Sequence, residues 1–389
     1  MINCLLSIII PTRNRQKYCR EAVNQILSHK WERVQICIQD NSDDDSLKDF
    51  VSQRNSQNIV YNYHPGTLSF VDNFSESVSL ASGDYVCMIG DDDGVLPNIL
   101  HLIENMVEKD ADAAIPALNF IYFWPSNQHI VEDGDKGLLI FHLHAESPQS
   151  KVKIITNHER EIRKLLAHGI QNYTSYDIPR LYHGIVKREV LEKIKDSTGH
   201  FFGGLTPDMY MASALAMVCK KVLRVSYSVT ISGICPTSGS SDSATGKHTG
   251  ELKDAPHFRG HGHYEWDEMM PAFYSVDTIW GDTLFRSIKE FHRDELLKYF
   301  NLPLFDGLCI TKYPEFSNVI LEHAKAHGST VRQMRFALAV YKFKTFVGRC
   351  ARKIIRICST GRGKTIKIKN LPNIIEAERQ ISEIIKTVK

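Results

Sequence analysis

Apolar and polar positions follow two different periods in the first 117 residues. Short apolar or alternating runs, such as residues 5–10 (LLSIII) and 33–39 (RVQICIQ), are typical of strands. Between these two runs, in residues 16–29, apolar side chains recur every three or four positions, which is the spacing of one helix face. The pattern predicts strands separated by helices, and therefore a parallel, doubly wound α/β sheet.

The same periods predict further elements along the chain. Three more strands follow at residues 59–63, 83–90 and 111–118, with helices near 46, at 70–82 and after Pro97. From about 118 to 235 the pattern is mixed. In that region strands are predicted at 182–187 and 222–232, and a helix at 207–220.

These patterns predict three regions. Residues 1–240 form an α/β unit, with a first half at about 1–117 and a second half at about 118–240. Residues 241–328 contain a mobile loop and helices, because the stretch 235–250 is rich in Ser and Gly and nearly free of apolar residues. Residues 329–389 form a basic, amphipathic helical tail.

The composition restricts the class of protein. With 389 residues, 43% hydrophobic and 24% charged, the chain can bury a large core. Nine cysteines occur without a CxxC pair, which favours reduced thiols and a cytoplasmic location. No run reaches the roughly 18 to 20 apolar residues of a membrane span, so we expect a soluble protein or one that lies on a surface.

The tail has an unusual charge distribution. Residues 331–369 contain twelve Lys or Arg and no Asp or Glu. Helical spacing places Phe343, Phe346 and Val347 on one face and Lys342 and Arg349 on the other. This pattern predicts binding to an anionic membrane surface at the inner membrane face. A helix packed on the catalytic domain and a homo-oligomer contact are alternatives, whereas no motif indicates nucleic-acid binding.

Polar residues follow three of the predicted strands, where ligands bind in doubly wound sheets. They are 11–15 (PTRNR), the acidic stretch that begins at Asp40, and 91–93 (DDD). Neighbouring carboxylates can hold a divalent cation that shares its coordination shell with phosphates. An acidic turn without an ion is the simpler alternative, and it is favoured for residues 43–45.

In order and spacing, these motifs resemble those of family 2 of the glycosyltransferases, which have the GT-A fold, in the branch that builds bacterial surface polysaccharides. The segments that carry the resemblance are LSIIIPTRNR, ICIQDNSDDDS, NFSESVSLASGDYVCMIGDDDGVLP and PDMYMA. The resemblance covers about the first 110 residues well and becomes weaker up to about residue 240. It implies that residues 1–240 are the catalytic domain, with a donor half at about 1–117 and an acceptor half at about 118–240, and that the helices of 241–328 lie on the acceptor side.

The resemblance implies an inverting transfer of a sugar from a nucleotide sugar, expected to be a UDP-sugar, to a growing surface polysaccharide or lipid-linked glycan. It places the base beside Pro11 and Arg13, with Asp40 on its edge and Asp91 on the ribose. Donor contacts are expected from Pro11, Thr12, Arg13, Arg15, Asp40 and Asp91. Asp92 with Asp93 would hold Mn²⁺ or Mg²⁺, and Asp208 would be the catalytic base. A plain first-turn Asp is the alternative for Asp208.

One departure from the family pattern concerns the phosphates. Members of the family often carry a basic residue between the third and fourth strands, but there is no Lys or Arg from Asn55 to Glu108. The diphosphate charge is then expected to be met by the metal, by Arg13 or Arg15, or by Lys247 and His248.

Two further segments contain residue types that occur in binding sites. Residues 257–270 (HFRGHGHYEWDEMM) are expected to contact the acceptor, with Tyr264 and Trp266 stacking on a sugar. Residues 361–365 (GRGKT) lack the first glycine of a phosphate-binding loop, so a kinase or ATPase is rejected. A nucleotidyltransferase and a non-catalytic sugar-nucleotide sensor in a polysaccharide assembly complex are alternative functions.

Overall fold

The computed structural model of the chain describes residues 5–54, 56–127, 129–142, 152–238, 248–260, 264–358 and 365–387. Side chains at 142, 351–358 and 387 are not described. Several sequence predictions lie outside the described residues. They are Lys247 and most of the predicted loop at 235–250, His261 and His263, and most of the GRGKT segment.

The predicted alternation of strands and helices in the N-terminal part is confirmed. The strands are β1 (Leu6–Thr12), β2 (Val34–Asp40), β3 (Ile59–Tyr63), β4 (Tyr85–Met88), β5 (Gly94–Val95) and β6 (Ala113–Ala117). The helices are α1 (Gln16–Ser28), α2 (Ser46–Arg54), α3 (Phe70–Ser79) and α4 (Asn98–Glu108). Pro97 is the N-cap of α4, in agreement with the preference for Pro at helix starts.

The middle of the chain contains short strands and three helices. The strands are β7 (Phe120–Phe123), β8 (Leu138–His142), β9 (Lys153–Ile155), β10 (Ile185–Lys187), β11 (Val222–Ser228) and β12 (Thr230–Ile234). The helices are α5 (Glu159–Ala167), α6 (Arg188–Thr198) and α7 (Pro207–Val218). The predicted helix at 207–220 and the predicted strand at 182–187 are therefore present.

The main sheet has eight strands in the order β3-β2-β1-β4-β10-β6-β11-β9. β1 to β4 are parallel, as are β6 and β11, while β10 is antiparallel to both of its neighbours, β4 and β6. The sheet is thus mostly parallel, as predicted.

Both faces of the main sheet are buried. Ile8 and Ile10 of β1 pack into a core with α1 and α4, whereas Ile9 packs into a second core with α3, α6 and α7. Successive side chains of a strand point to opposite faces, so helices must cover both sides. This arrangement confirms the doubly wound prediction.

A second sheet of five strands has the order β15-β8-β7-β12-β5. Its edge strand β15 (Thr365–Lys369) pairs antiparallel with β8, so this part of the predicted helical tail is a strand. The TIKIK segment alternates apolar and charged residues, which is the signal of a strand with one buried face. Lys369 also forms an ion pair with Asp133 at 2.8 Å.

The rest of the described chain is largely helical. It contains a small two-stranded sheet of β13 (Thr249–Gly250) and β14 (Tyr274–Ser275). The helices are α8 (Val276–Glu290), α9 (Leu302–Lys312), α10 (Ser317–Ala326), α11 (Val331–Cys358) and α12 (Ile374–Thr387). α11 packs against α9, and α12 packs against α1. Within the described residues, no helix is both long and apolar enough to cross a membrane.

Candidate active site

The carboxyl ends of β1, β2 and β4 lie side by side, as the parallel topology requires. In the β1–β2 ladder Thr12 is opposite Asp40, and in the β1–β4 ladder Ile9 is opposite Met88, three residues before Asp91. A cavity of about 510 Å³ opens beside the end of β1. Its wall consists of residues 11–15, Asn41, 68–70, Asn73, Phe74, Thr237, His248, Pro256, His257 and Arg259.

Asp91 is fully buried and is held from the β1 loop. Thr12 Oγ1 donates to its Oδ2 at 2.6 Å, Arg15 Nε donates to the same oxygen at 3.1 Å, and Arg15 Nη2 lies 2.8 Å from Oδ1. Burial raises the pKa of Asp91, and the Arg15 guanidinium opposes that shift. The structure therefore joins three residues that the sequence assigned to donor binding.

Asp92 is held from β12 and its C-terminal neighbour. Cys235 N donates to Asp92 Oδ2 at 2.9 Å, and Arg15 Nη1 lies 3.9 Å from the same oxygen. The backbone of Gly233 passes so close that an added Cβ would stand 1.8 Å from the Asp92 carbonyl oxygen, which explains the glycine. Burial raises the pKa of Asp92, again opposed by Arg15. The Cys235 thiol also interacts with the Asp92 carboxylate and lowers its pKa, but no described residue donates a hydrogen bond of normal geometry to Asp92 Oδ1.

Asp93 has different surroundings. Its Oδ1 accepts from Gly233 N at 2.7 Å, and its Oδ2 accepts from Gly90 N at 2.7 Å and from Tyr182 OH at 2.9 Å. His183 Nε2 lies 3.3 Å from Oδ2, and burial lowers the pKa of His183 to about 3, so the ring is neutral. Both oxygens of Asp93 thus have protein donors, which favours a structural role over the predicted metal contact.

The contacts of Asp92 and Asp93 bear directly on the predicted metal site. Among the described residues, no group of three or more His, Cys, Asp or Glu side chains is placed to hold a metal ion. A Mg²⁺ or Mn²⁺ site that shares its shell with donor phosphates needs only one or two carboxylates from the protein. Asp92 fits that requirement because its Oδ1 has no protein donor among the described residues.

Asp40 and Asn41 organise the end of β2. Asp40 is fully buried; its Oδ1 accepts from Ser42 N at 2.9 Å and its Oδ2 from Tyr61 OH at 3.0 Å. Asn41 accepts from Arg13 Nη1 at 2.8 Å and donates to the carbonyl of Gly66. Asn41, which the sequence analysis did not single out, therefore connects the β1 loop to the segment before α3 and lines the cavity.

A second basic side of the cavity comes from residues distant in sequence. The Arg259 guanidinium lies 5.9 Å from the ring centroid of Phe70, which is stacked on His257. Gly260 (φ +77°) packs against the start of α3, where an added Cβ would be 2.6 Å from Ser69 N. Partial desolvation, followed by the charge of Arg13, lowers the pKa of Arg259, which is still exposed. Arg13, Arg15 and Arg259 therefore line one cavity, an arrangement that favours an anionic ligand.

The histidine predicted to meet phosphate also lines this cavity. His248 Nδ1 lies 3.1 Å from Tyr274 OH, and the same hydroxyl lies 3.2 Å from His257 Nδ1. The segment 257–270 is predicted to contact the acceptor, and that role stays a prediction. Its Arg259 is the sequence signal that the same segment can also present a cation to this cavity.

Asp208 lies in the first turn of α7 and is half-buried. Tyr173 OH donates to Asp208 Oδ2 at 3.4 Å. Burial raises the pKa of Asp208, partly offset by the backbone hydrogen bond from Met209. A raised pKa suits a carboxylate that accepts a proton near neutral pH. Asp208 does not line the cavity beside β1, and its role as base stays a prediction.

Tyr264 and Trp266 line a separate cavity of about 650 Å³. Tyr264 OH donates to Asp282, and Trp266 Nε1 donates to the Met270 carbonyl at 3.0 Å. Arg286 Nε donates to Tyr264 OH at 3.2 Å. The sugar-stacking role of Tyr264 and Trp266 stays a prediction.

Comparison with known proteins identifies the N-terminal part. Residues 7–137 match the family described as Glycosyl transferase family 2. The abequosyltransferase RfbV of Salmonella typhimurium is 34% identical over 113 residues, 28% of this chain and 34% of that protein. A beta-1,3-glucosyltransferase of Campylobacter jejuni, named for GalNAc(5)-diNAcBac-PP-undecaprenol, is 31% identical over 101 residues, 24% of this chain and 32% of that protein. The matches thus span about a third of these relatives.

One solved structure resembles the chain over most of its length. It is Staphylococcus aureus TarS, residues 1–349, in complex with UDP-GlcNAc, with a TM-score of 0.50 and 13% sequence identity. The resemblance covers 87% of this chain and 92% of that chain. At this identity it supports a shared fold.

Proposed function

We propose that this chain, which carries a glycosyl transferase family 2 domain in residues 7–137, transfers a sugar from a nucleotide sugar to a growing cell-surface polysaccharide or lipid-linked glycan. The names of the relatives from Salmonella typhimurium and Campylobacter jejuni support sugar transfer. The UDP-GlcNAc in the TarS complex supports a UDP-sugar donor.

One observation carries the proposal. The cavity beside β1 is lined by three arginines, and one of them, Arg15, joins it to the buried carboxylates of Asp91 and Asp92. A nucleoside diphosphate has the matching chemistry, because its phosphates can bind guanidinium groups while a cation shared with a carboxylate neutralises further charge. Arg13 already lies 3.4 Å from the Asp43 carboxylate, but Arg259 forms no ion pair with any described residue, so a neutral or cationic ligand would leave its charge unmatched.

The proposed donor contacts follow from this arrangement. Pro11, Thr12 and Arg13, which line the cavity, contact the nucleoside, as the resemblance implies. Asp40 and Asp91, which are buried and accept from Ser42, Tyr61, Thr12 and Arg15, act on the donor through these neighbours. Asp92 would hold Mn²⁺ or Mg²⁺, and the ion would supply positive charge near the departing diphosphate. Arg259 supplies the basic contact to the phosphates that members of the family often place between the third and fourth strands. This chain has no Lys or Arg there, from Asn55 to Glu108. Asp93, whose oxygens are bonded to Gly233, Gly90 and Tyr182, fixes the loop.

The proposed chemistry is a single displacement with inversion. The acceptor hydroxyl oxygen bonds to the anomeric carbon of the sugar while the bond from that carbon to the diphosphate oxygen breaks. Asp208 accepts the hydroxyl proton, because burial raises the pKa of its carboxyl group toward the working range of a base.

The proposal can be tested by donor binding and product analysis on the full chain. We expect a matching nucleotide sugar to raise the melting temperature, and more so with Mn²⁺, since ligand at about 100 times its Kd stabilises by about 2.7 kcal/mol. Turnover should release nucleoside diphosphate. Release of pyrophosphate would indicate nucleotidyl transfer. Tight donor binding without turnover on any glycan acceptor would indicate a sensor, and no response to any donor would contradict the proposal.

Arg259→Ala is expected to weaken donor binding about tenfold to a hundredfold, the effect of a lost charge-assisted hydrogen bond. Arg259 is exposed, so the variant should keep its stability. Donor affinity can be measured by calorimetry. The matched control is Arg160→Ala, which removes an exposed guanidinium on α5 and should leave affinity unchanged. If Arg259→Ala and Arg160→Ala bound the donor with the same affinity, Arg259 would not belong to the donor site.

A further inference from the structure

Helix α11 has two faces with opposite environments. Met334 is buried, and Tyr341 and Thr345, which lie on the same face, are half-buried. This is the face that packs against α9, where Gly307 lies close to the Met334 backbone. The predicted alternative of a helix packed on the catalytic domain therefore describes one side of α11.

The opposite face of α11 carries large apolar side chains in solvent. Phe336, Phe343 and Phe346 are 71%, 69% and 62% exposed, and Val347 is 48% exposed. Phe343 follows Phe336 by seven residues, and Phe346 and Val347 follow Phe343 by three and four, so all four lie on one stripe about 16 Å long at 1.5 Å per residue. Isolated exposed apolar residues are common, but a contiguous stripe of three phenylalanines marks a contact surface.

The charged residues that flank the stripe are all basic. Arg335, Lys342 and Arg349 line one side of it and Lys344 the other, all with exposed side chains. Residues 331–369 contain twelve basic and no acidic residues. Lys367 and Lys369 are engaged with Asp133, whereas no ion pair is formed by Lys342, Lys344 or Arg349 with any described residue. This arrangement is complementary to a bilayer surface, because the phenylalanines can contact the acyl chains while the cations contact anionic headgroups.

A second copy of the chain fits this face less well. Two copies that met through the stripe would bring Lys342, Lys344 and Arg349 of one chain toward the same cations of the other. That contact would oppose association, because no acidic residue between 331 and 369 could compensate for it. Charge complementarity therefore selects an anionic lipid surface over a homotypic contact.

We propose that the exposed face of α11, formed by Phe336, Phe343, Phe346 and Val347 with the flanking basic residues, binds the surface of a bilayer that contains anionic lipids. The helix lies in the plane of the surface, with the phenylalanines among the upper acyl chains and the cations at the headgroups. The opposite face stays on α9, so binding holds the catalytic domain at the membrane. This proposal does not depend on which sugar the site transfers.

Vesicle co-sedimentation of the full chain tests the proposal. We expect binding to an equal mixture of phosphatidylcholine and phosphatidylglycerol, little binding to phosphatidylcholine alone, and weaker binding in high salt. The double variant F343S/F346S should bind about tenfold more weakly, because it removes the apolar contact. K342Q/R349Q should bind about 25-fold more weakly, at about fivefold for each charge.

The matched controls replace exposed apolar and basic side chains outside α11. V107S/I154S removes two exposed apolar side chains and K48Q/R160Q removes two exposed charges, none of them on α11, and both should bind as the parent does. Absence of binding to anionic vesicles, or equal loss in a control, would overturn the proposal. If F343S/F346S left vesicle binding intact but abolished a dimer in sedimentation velocity, the occupant would be a second copy and the membrane assignment would be wrong.

Discussion

Asp92→Asn is expected to lower kcat by about a thousandfold, because the charge on the departing diphosphate would lose the cation that stabilises it. The fold should persist, since the Asn side-chain oxygen can still accept from Cys235 N, the donor that binds Asp92 Oδ2 in the parent. The extra thermal stabilisation that Mn²⁺ adds to bound donor should disappear. Turnover assays and melting temperatures with and without Mn²⁺ check this result.

The control for Asp92 is Asp45→Asn, which makes the same change in the exposed acidic stretch after β2. We expect near-parental kcat and an unchanged response to Mn²⁺. Near-parental activity of Asp92→Asn would remove this residue from the metal role. If Asp93→Asn abolished the Mn²⁺ response while Asp92→Asn did not, the metal would belong to Asp93 despite its internal hydrogen bonds.

Asp208→Asn is expected to lower kcat by about a hundredfold to ten-thousandfold, the range for loss of a general base, while donor affinity stays the same. Because the pKa of Asp208 is raised, the parent rate should fall as the pH drops through that pKa. The same shift means that the ionised form destabilises the fold at higher pH, so the neutral Asn variant should be at least as stable at neutral pH. Rate profiles against pH and thermal unfolding measure both effects.

Asp196→Asn is the control for Asp208, since Asp196 is an exposed carboxylate on α6. Its pH profile and kcat should match those of the parent. A parallel loss of turnover, donor affinity and stability in Asp208→Asn would indicate damage to the fold. Unchanged turnover would assign Asp208 the simpler role of a first-turn residue of α7.

The local pattern of apolar and polar residues was sufficient to predict the strands and helices of the donor half. The periods of residues 5–117 depend on neighbours within one element, and β1 to β4, β6 and α1 to α4 form where they predict. The loops after β1, β2 and β4 could be assigned to one edge because parallel strands end at the same side. Thr12, Arg15 and Asp91 could therefore be grouped before any contact was known.

Contacts between distant residues could not be predicted in this way. Arg259 reaches the cavity because Gly260 packs on the start of α3, nearly 200 residues earlier in the chain, and no local period encodes that approach. Gly233 N on β12 and Tyr182 OH before β10 donate to the oxygens of Asp93, whose predicted metal contact stays a prediction. A triplet of identical residues gives no sign of which carboxylate each distant donor will meet.

The sequence by itself determined an α/β domain with carboxylates at a ligand-binding edge and a basic, amphipathic helix after residue 331, because these features depend on spacing within single elements. Only the tertiary structure decided which acidic oxygens have protein donors and which cation faces the cavity. It also decided that α11 buries Met334 and leaves Phe343 in solvent. The physical reason is that amphipathic spacing defines faces, whereas burial depends on the partner that each face meets.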